Sequence, residues 1–186
     1  MSSKFYRLLT ADGSWQKVID DWQRQCEEVG ESIDEFAPES RALLHGFAES
    51  CEKDTWAAGL FEDSRCVAIA MLNRTMLPKT SGYTLRVRHV IVSPLLDYGA
   101  LSKDAYADTL VSFTWAVVQI SETTLPAEHV KFHLRSPGDM DYFRAFGNAL
   151  DSKGVFARVS MHGAWLAITK SNGEGQPSES IEEGAA

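Results

Sequence analysis

The amino-acid sequence predicts an α/β (α+β) protein, a single mixed central β-sheet flanked by helices. Three observations carry that expectation. Short runs of branched and aromatic residues alternate with longer stretches whose apolar residues recur every three or four positions. A helical stretch from about Ser102 to Glu122 lies between the strand-like segments Arg86–Val92 and Val130–Leu134; a right-handed β–α–β crossover would set those strands parallel. The 186 residues contain no internal repeat and no second domain boundary, and the length suits one core.

Taken in order, "KFYRLLTA" is the first strand, ended by the turn at Asp12–Gly13. Ser14 is placed to cap a helix with apolar positions Trp15, Val18, Ile19, Trp22, Cys26 and Val29, and Gly30 closes it. A second helix starts near Pro38, and its spacing puts Leu43, Leu44, Phe47 and Cys51 on one side. "TWAAGLFED" and "RCVAIAMLNRTML", joined by a short polar turn around Asp63, read as a hairpin.

In "YTLRVRHVIVSP" the set Tyr83, Leu85, Val87, His89 and Ile91 alternates with Thr84, Arg86, Arg88, Val90 and Val92. Its first half reads as half-exposed and its second as buried on both faces, as in a central strand that Pro94 ends. The Ser102–Glu122 helix presents Tyr106, Leu110, Phe113, Val117 and Ile120, and a second stripe of Val111, Trp115 and Val118 widens its apolar arc. "HVKFHLRSP" is a further strand, and Gly138 to Lys153 an amphipathic helix with Phe143, Phe146 and Leu150 inward. "VFARVSM" and "WLAIT", flanking "HGA", close the domain as a hairpin or one bent strand.

A net charge of −8 argues against general nucleic-acid binding, which needs a basic face. Half of that charge sits in Ser171 to Ala186, "SNGEGQPSESIEEGAA", which has four Glu and no Lys or Arg. With Ile181 as its one large apolar residue this segment cannot offset its ordering entropy, so a domain over 1–170 and a disordered acidic tail over 171–186 are expected. No apolar run reaches transmembrane length, so no membrane partner is expected. Cys26, Cys51 and Cys66 have no metal-ligand spacing and lie in apolar periodic segments, which reads as three buried free thiols in a reducing cytoplasm. His129 and His133 are four apart on a strand, a span of about 13 Å that does not chelate one metal.

The element order, with "VSP" at Val92–Pro94 ending the fourth strand and Gly99 following it, resembles the Gcn5-related N-acetyltransferase (GNAT) family from Phe5 to Thr169. The resemblance implies acetyl-CoA as co-substrate and a small-molecule or protein amine as acceptor, with a homodimer allowed. It implies a seat for the pyrophosphate at Gly99, Ala100 and Leu101, and backbone N–H groups at Ile91 and Val92 for the thioester carbonyl. The loop departs from the family pattern: Asp97 stands where Arg or Gln is usual, and Ala100 and Ser102 where small glycine-rich positions follow. The family often uses a Glu on the fourth strand as base, and here His89 is the near-neutral titrating group. The position of the family's acidic Tyr aligns with Phe143 and Tyr142 is adjacent, which makes Tyr142 the proton donor to the thiolate; Ser136 stands where an Asn is common.

Each of these residues has a plainer role available. His89 suits a hydrogen-bonded sheet histidine, Tyr142 a packing residue, Asp139 and Asp141 a helix cap, and Arg86 and Arg88 solvated or acid-paired side chains. The sequence therefore supports a divergent acyl-CoA-dependent N-acyltransferase. Its alternative is a non-catalytic protein of the same fold, whose cleft or aromatic surface binds a protein or other ligand. A third reading is a small α/β protein with a closed cleft and an acidic surface for a basic partner.

Overall fold

The computed structural model describes residues 3–78, 80–134, 140, 143–144, 146–148 and 156–170. The expectations for Ser136, Asp139, Asp141, Tyr142, Leu150 and the 171–186 tail fall outside them. Seven strands are described, β1 (Ser3–Leu8), β2 (Thr55–Glu62), β3 (Arg65–Met76), β4 (Tyr83–Val92), β5 (His129–His133), β6 (Arg158–His162) and β7 (Trp165–Thr169). The helices described from end to end are α1 (Ser14–Val29), α2 (Pro38–Glu49), α3 (Pro94–Asp97) and α4 (Lys103–Ile120). The strands form one sheet in the order β1-β2-β3-β4-β5-β7-β6, and every neighbouring pair is antiparallel except β4 and β5. The crossover through α4 thus makes β4 and β5 parallel, as the right-handed rule requires.

Helices cover the sheet from both sides. Leu110, Phe113 and Val117 of α4 join Leu60, Leu72, Leu85, Val130 and Leu166 in one core. Trp15, Val18, Trp22 and Cys26 of α1 and Leu44 of α2 meet Leu8, Phe61, Ile69 and Ile91 in a second core on the opposite face. Each large side chain so buried contributes roughly 1.5–3 kcal/mol. β3 serves both cores, Leu72 one and Ile69 the other, which is why it reads as an unbroken apolar run.

Local signals set most boundaries. α1 ends where Gly30 adopts φ 76°, and the Glu31 N–H bonds the Cys26 carbonyl at 2.9 Å. Asp63 and Ser64, with φ 47° and 73°, form the two-residue β2–β3 turn; both angles lie in the positive range that tight hairpin turns use. β6 and β7 are a true hairpin, not one bent strand.

Four expectations are corrected. Ser14 is not the α1 cap: Gly13 occupies that position, the Ser14 N–H bonds Asp12 Oδ1 at 2.8 Å, and the Ser14 hydroxyl accepts from Leu9 N–H. Cys51 lies beyond the end of α2 and is exposed, while Cys26 and Cys66 are buried. Leu43 is exposed because Leu44 and Ala48 form the inner face of α2. Val111 and Trp115 are exposed on α4, since no described element packs over that side of the helix.

A further difference lies in β4. Met71 faces Arg88 and Ile69 faces Ile91, so two residues, His89 and Val90, stand opposite the single Ala70. This is a β-bulge, and His89 takes φ 52° within it. One inserted residue exchanges the faces. Leu85 and Val87 lie in the α4 core before it, whereas after it Val92 does so and Ile91 turns to the α1 core. The regular alternation read from the sequence therefore breaks at His89.

A non-glycine residue in the left-handed region carries about 1–2 kcal/mol of backbone strain. Replacing His89 by Gly is expected to leave stability within about 1 kcal/mol, while His89→Val, β-branched and poorly suited to positive φ, costs about 2 kcal/mol or more. Denaturant midpoints of the two variants compare them directly; equal stability would mean that the bulge relocates.

Candidate functional site

β4 and β5 pair only at their starts. The ladder runs from Thr84↔His129 to Val87↔Phe132 and stops there. Beyond Val87 the β4–β5 ladder has no further pair among the described residues, while β5 continues its pairing with β7 through His133↔Trp165. The two central strands therefore splay. The gap opens into a cavity of about 350 Å³ bordered by Val90, Ile91 and Val92 of β4, Phe132 and His133 of β5, and Asp97 and Tyr106 beyond them. Its walls are largely apolar, as expected for the core end of an opened sheet.

The direction of the backbone donors follows from the β3 ladder. The Ser93 N–H bonds Val67 O at 2.9 Å, toward β3. By the two-residue repeat the Ile91 N–H faces β3 as well, and the Val92 N–H faces the gap. Of the two donors that the resemblance implied, Val92 thus projects an amide into the cleft and Ile91 contributes only its side of the wall.

The turn after β4 begins with the single-turn helix α3, packed beside α1, followed by Tyr98 and Gly99 at φ 72°. A Cβ built on Gly99 meets nothing within 4 Å, so the turn is open to solvent at that point. Two of its donors are already used: Gly99 N–H bonds Leu96 O at 3.3 Å and Leu101 N–H bonds Leu95 O at 3.1 Å. The Ser102 hydroxyl caps α4 by accepting from the Ala105 N–H at 3.1 Å. What the turn still offers an anion is the Ala100 amide and the first-turn amides of Lys103 and Asp104, which have no intrahelical acceptor. Gly99, Ala100 and Leu101 are exposed and do not line the cavity, whereas Asp97 from the same turn does.

His89 occupies the bulge one residue before the lining residue Val90, is half-buried, and is not itself part of the cavity wall. Tyr142 falls outside the described residues. Phe143, at the position aligned with the family's Tyr, is 5% exposed, lines the cavity and has its ring 6.0 Å from that of Phe132. Sequence reasoning missed Tyr106 as a cleft residue. It sits one turn before Leu110 in the apolar stripe of α4, and only the splaying of β4 and β5 opens a space beside it.

Other singled-out residues have structural roles. His129 bonds Thr169 Oγ1 through Nδ1 at 3.1 Å and Ser81 O through Nε2 at 2.9 Å. Among the described residues no group of His, Cys, Asp and Glu is arranged to hold a metal ion. Arg86 and Arg88 are half-buried and not acid-paired among the described residues; both lie over the Trp165 ring.

No protein-family model and no curated protein matches the sequence. Solved structures do match in three dimensions. An integron cassette protein from the mobile metagenome of V. cholerae is 10% identical with a TM-score of 0.51, over 79% of this chain and 85% of its own. A probable acetyltransferase from Staphylococcus epidermidis is 13% identical with a TM-score of 0.49, over 91% of this chain and all of its own. An N-acetyltransferase from Staphylococcus aureus is 12% identical with a TM-score of 0.46, over 91% and 98% respectively. At such identities the likeness concerns fold alone. It lies in a single mixed sheet flanked by helices with one parallel pair, β4 and β5, as the resemblance stated for the sequence implied.

Proposed function

We propose that the chain is an acyl-CoA-dependent N-acyltransferase that moves an acetyl group from acetyl-CoA to an amine in the β4–β5 cleft. The observation that carries this reading is the splay itself: an apolar slot with an unladdered β4 edge and the Val92 amide turned into it. A narrow acyl-bearing chain suits such a slot, since it can pair with the Val92 amide as a missing strand would. Val90, Val92, Leu110 and Phe132 would hold the arm, and the Ala100 amide and α4 N-terminus would face its phosphates.

In the reaction the amine nitrogen attacks the thioester carbonyl carbon, the C–S bond breaks, and the amine proton leaves as the thiolate gains one. The Val92 N–H donates to the carbonyl oxygen as negative charge develops on it. His89 takes the amine proton, directly or through water, and Tyr142 protonates the sulfur. Among the described residues, Tyr106 is a phenol that borders the cleft.

Titration calorimetry of acetyl-CoA into the protein tests this reading, with Gly99→Glu as the paired variant. Binding on the micromolar scale that weakens at least about tenfold in the variant is expected, because a carboxylate would then stand beside the phosphates. Absence of heat with intact protein at high ligand concentration would overturn it. A non-catalytic role for the same cleft is the second reading. It is favoured by Phe143 standing where the resembled family has Tyr and by Asp97 bordering the cavity.

A further inference from the structure

Among the described residues, the sheet beyond β4 packs against helices on one side only. Val130, Phe132, Leu166 and Ile168 face α4, but the core under α1 and α2 draws no residue from β5, β6 or β7. On that open face the register sets Arg86, Lys131, Ala167 and Ser160 in one row across β4, β5, β7 and β6. His133, Trp165 and His162 form the next row.

A pocket of about 260 Å³ opens there, lined by Leu77, Arg86, Lys131, His162, Trp165 and Ala167. The guanidinium carbons of Arg86 and Arg88 lie 5.4 and 5.6 Å from the Trp165 ring centre. Burial, and then the charge of Arg88, holds the Arg86 guanidinium below its usual range. Arg24, Arg65 and Arg74 are paired with carboxylates, whereas none of Arg86, Arg88 and Lys131 is among the described residues. In a chain of net charge −8 with 26 acidic residues, three half-buried cations gathered without an acid are a marked local reversal of sign.

Like charges held together at an indole repel one another, and cation–π attraction at a part-exposed ring offsets that only in part. An oxyanion between them removes the repulsion and receives the forked donors of two guanidiniums, the geometry that arginine offers carboxylates and phosphates. We propose that this pocket binds a carboxylate- or phosphate-bearing small molecule, its oxyanion held by Arg86, Arg88 and Lys131 against Trp165. The His133 ring, 4.6 Å from that of Trp165 between centroids, also lines the β4–β5 cleft, so the ligand sits beside that cleft. The pocket's chemistry does not depend on acyl transfer.

The test is a pair of NMR titrations at fixed ionic strength, one with inorganic phosphate and one with succinate. Both follow the Trp165 indole N–H resonance, assigned by its loss in Trp165→Phe. Fixed ionic strength removes general screening as a cause of any shift. A saturable shift with at least one anion is expected, and the tighter of the two identifies the oxyanion class. The double variant Arg86→Gln/Arg88→Gln should weaken binding at least about tenfold, with the other indole resonances unmoved. Should that variant fail to fold, Lys131→Gln carries the same comparison with a smaller loss. A shift that saturates with neither anion, or that is the same in the glutamine variants, overturns the proposal. Neither titration contains acetyl-CoA, so its outcome is independent of the acyltransferase reading.

Discussion

Trp22→Ala is expected to lower the unfolding free energy by about 3–5 kcal/mol, a large share of the roughly 5–15 kcal/mol that a domain typically has. Trp22 is fully buried, and its ring meets that of Phe36 edge-on at 5.5 Å. Its indole N–H donates to the Cys66 carbonyl at 2.8 Å, while the Asp21 carboxylate accepts the Cys66 N–H at 2.8 Å. Two neighbouring residues of α1 thus hold both backbone groups of Cys66. The reason lies in the sheet: Leu60 faces Ala68 but Phe61 faces Cys66, so Val67 is an extra residue and the ladder is interrupted there.

Trp22→Phe separates the two contributions. It keeps most of the apolar volume but leaves the Cys66 carbonyl buried without its indole donor, a loss of about 1–3 kcal/mol. Denaturant midpoints for wild type, Trp22→Phe and Trp22→Ala should therefore fall in that order. If Trp22→Phe is as damaging as Trp22→Ala, the hydrogen bond outweighs the packing. If Trp22→Phe costs nothing, Cys66 finds another donor.

The second large effect is on turnover. Val92→Pro removes one backbone N–H and leaves a side chain of similar size. Ser93 anchors the strand end to β3 through its own amide, and the Val92 amide faces the gap, so the substitution deletes no bond to β3. Ile91 before it is already extended, as a residue preceding proline should be. With acetyl-CoA and a panel of primary amines, thiol release by Val92→Pro is expected to fall about 10²–10³-fold, the usual consequence of deleting one oxyanion donor. KM for acetyl-CoA should change less than kcat, because the donor matters most once charge develops. Unchanged turnover would remove Val92 from the reaction; a loss confined to KM would make its amide a ground-state contact.

The breadth of the cleft and the identity of its lining were only partly legible in advance. Ile91 and Val92 at the strand end were expected from "VSP" through the family resemblance; of the turn expected with them, Gly99, Ala100 and Leu101 lie outside the cavity lining and Asp97 within it. Tyr106 was not expected, since a tyrosine at helical spacing among leucines and phenylalanines reads as core until the sheet beside it parts. The pairing of Arg86 and Arg88 with Trp165 lies across some 80 residues of sequence and has no local signature. Nor could spacing show that Cys51 falls past the end of α2 while Cys66 is sealed under α1, where burial pushes its thiol well above the ordinary range.

The sequence by itself determined the order of the described strands, the β2–β3 hairpin and the parallel placement of β4 and β5. Turn residues, helical spacing and the handedness of a crossover act over a few residues or depend on chirality alone. Only the tertiary structure decided the two bulges, at Val67 and His89, and with them which faces are buried, where β4 and β5 part, and which amide enters the gap. A bulge is a mismatch between two strands, so its cause resides in the partner and in the helices packed across both. No single strand encodes it.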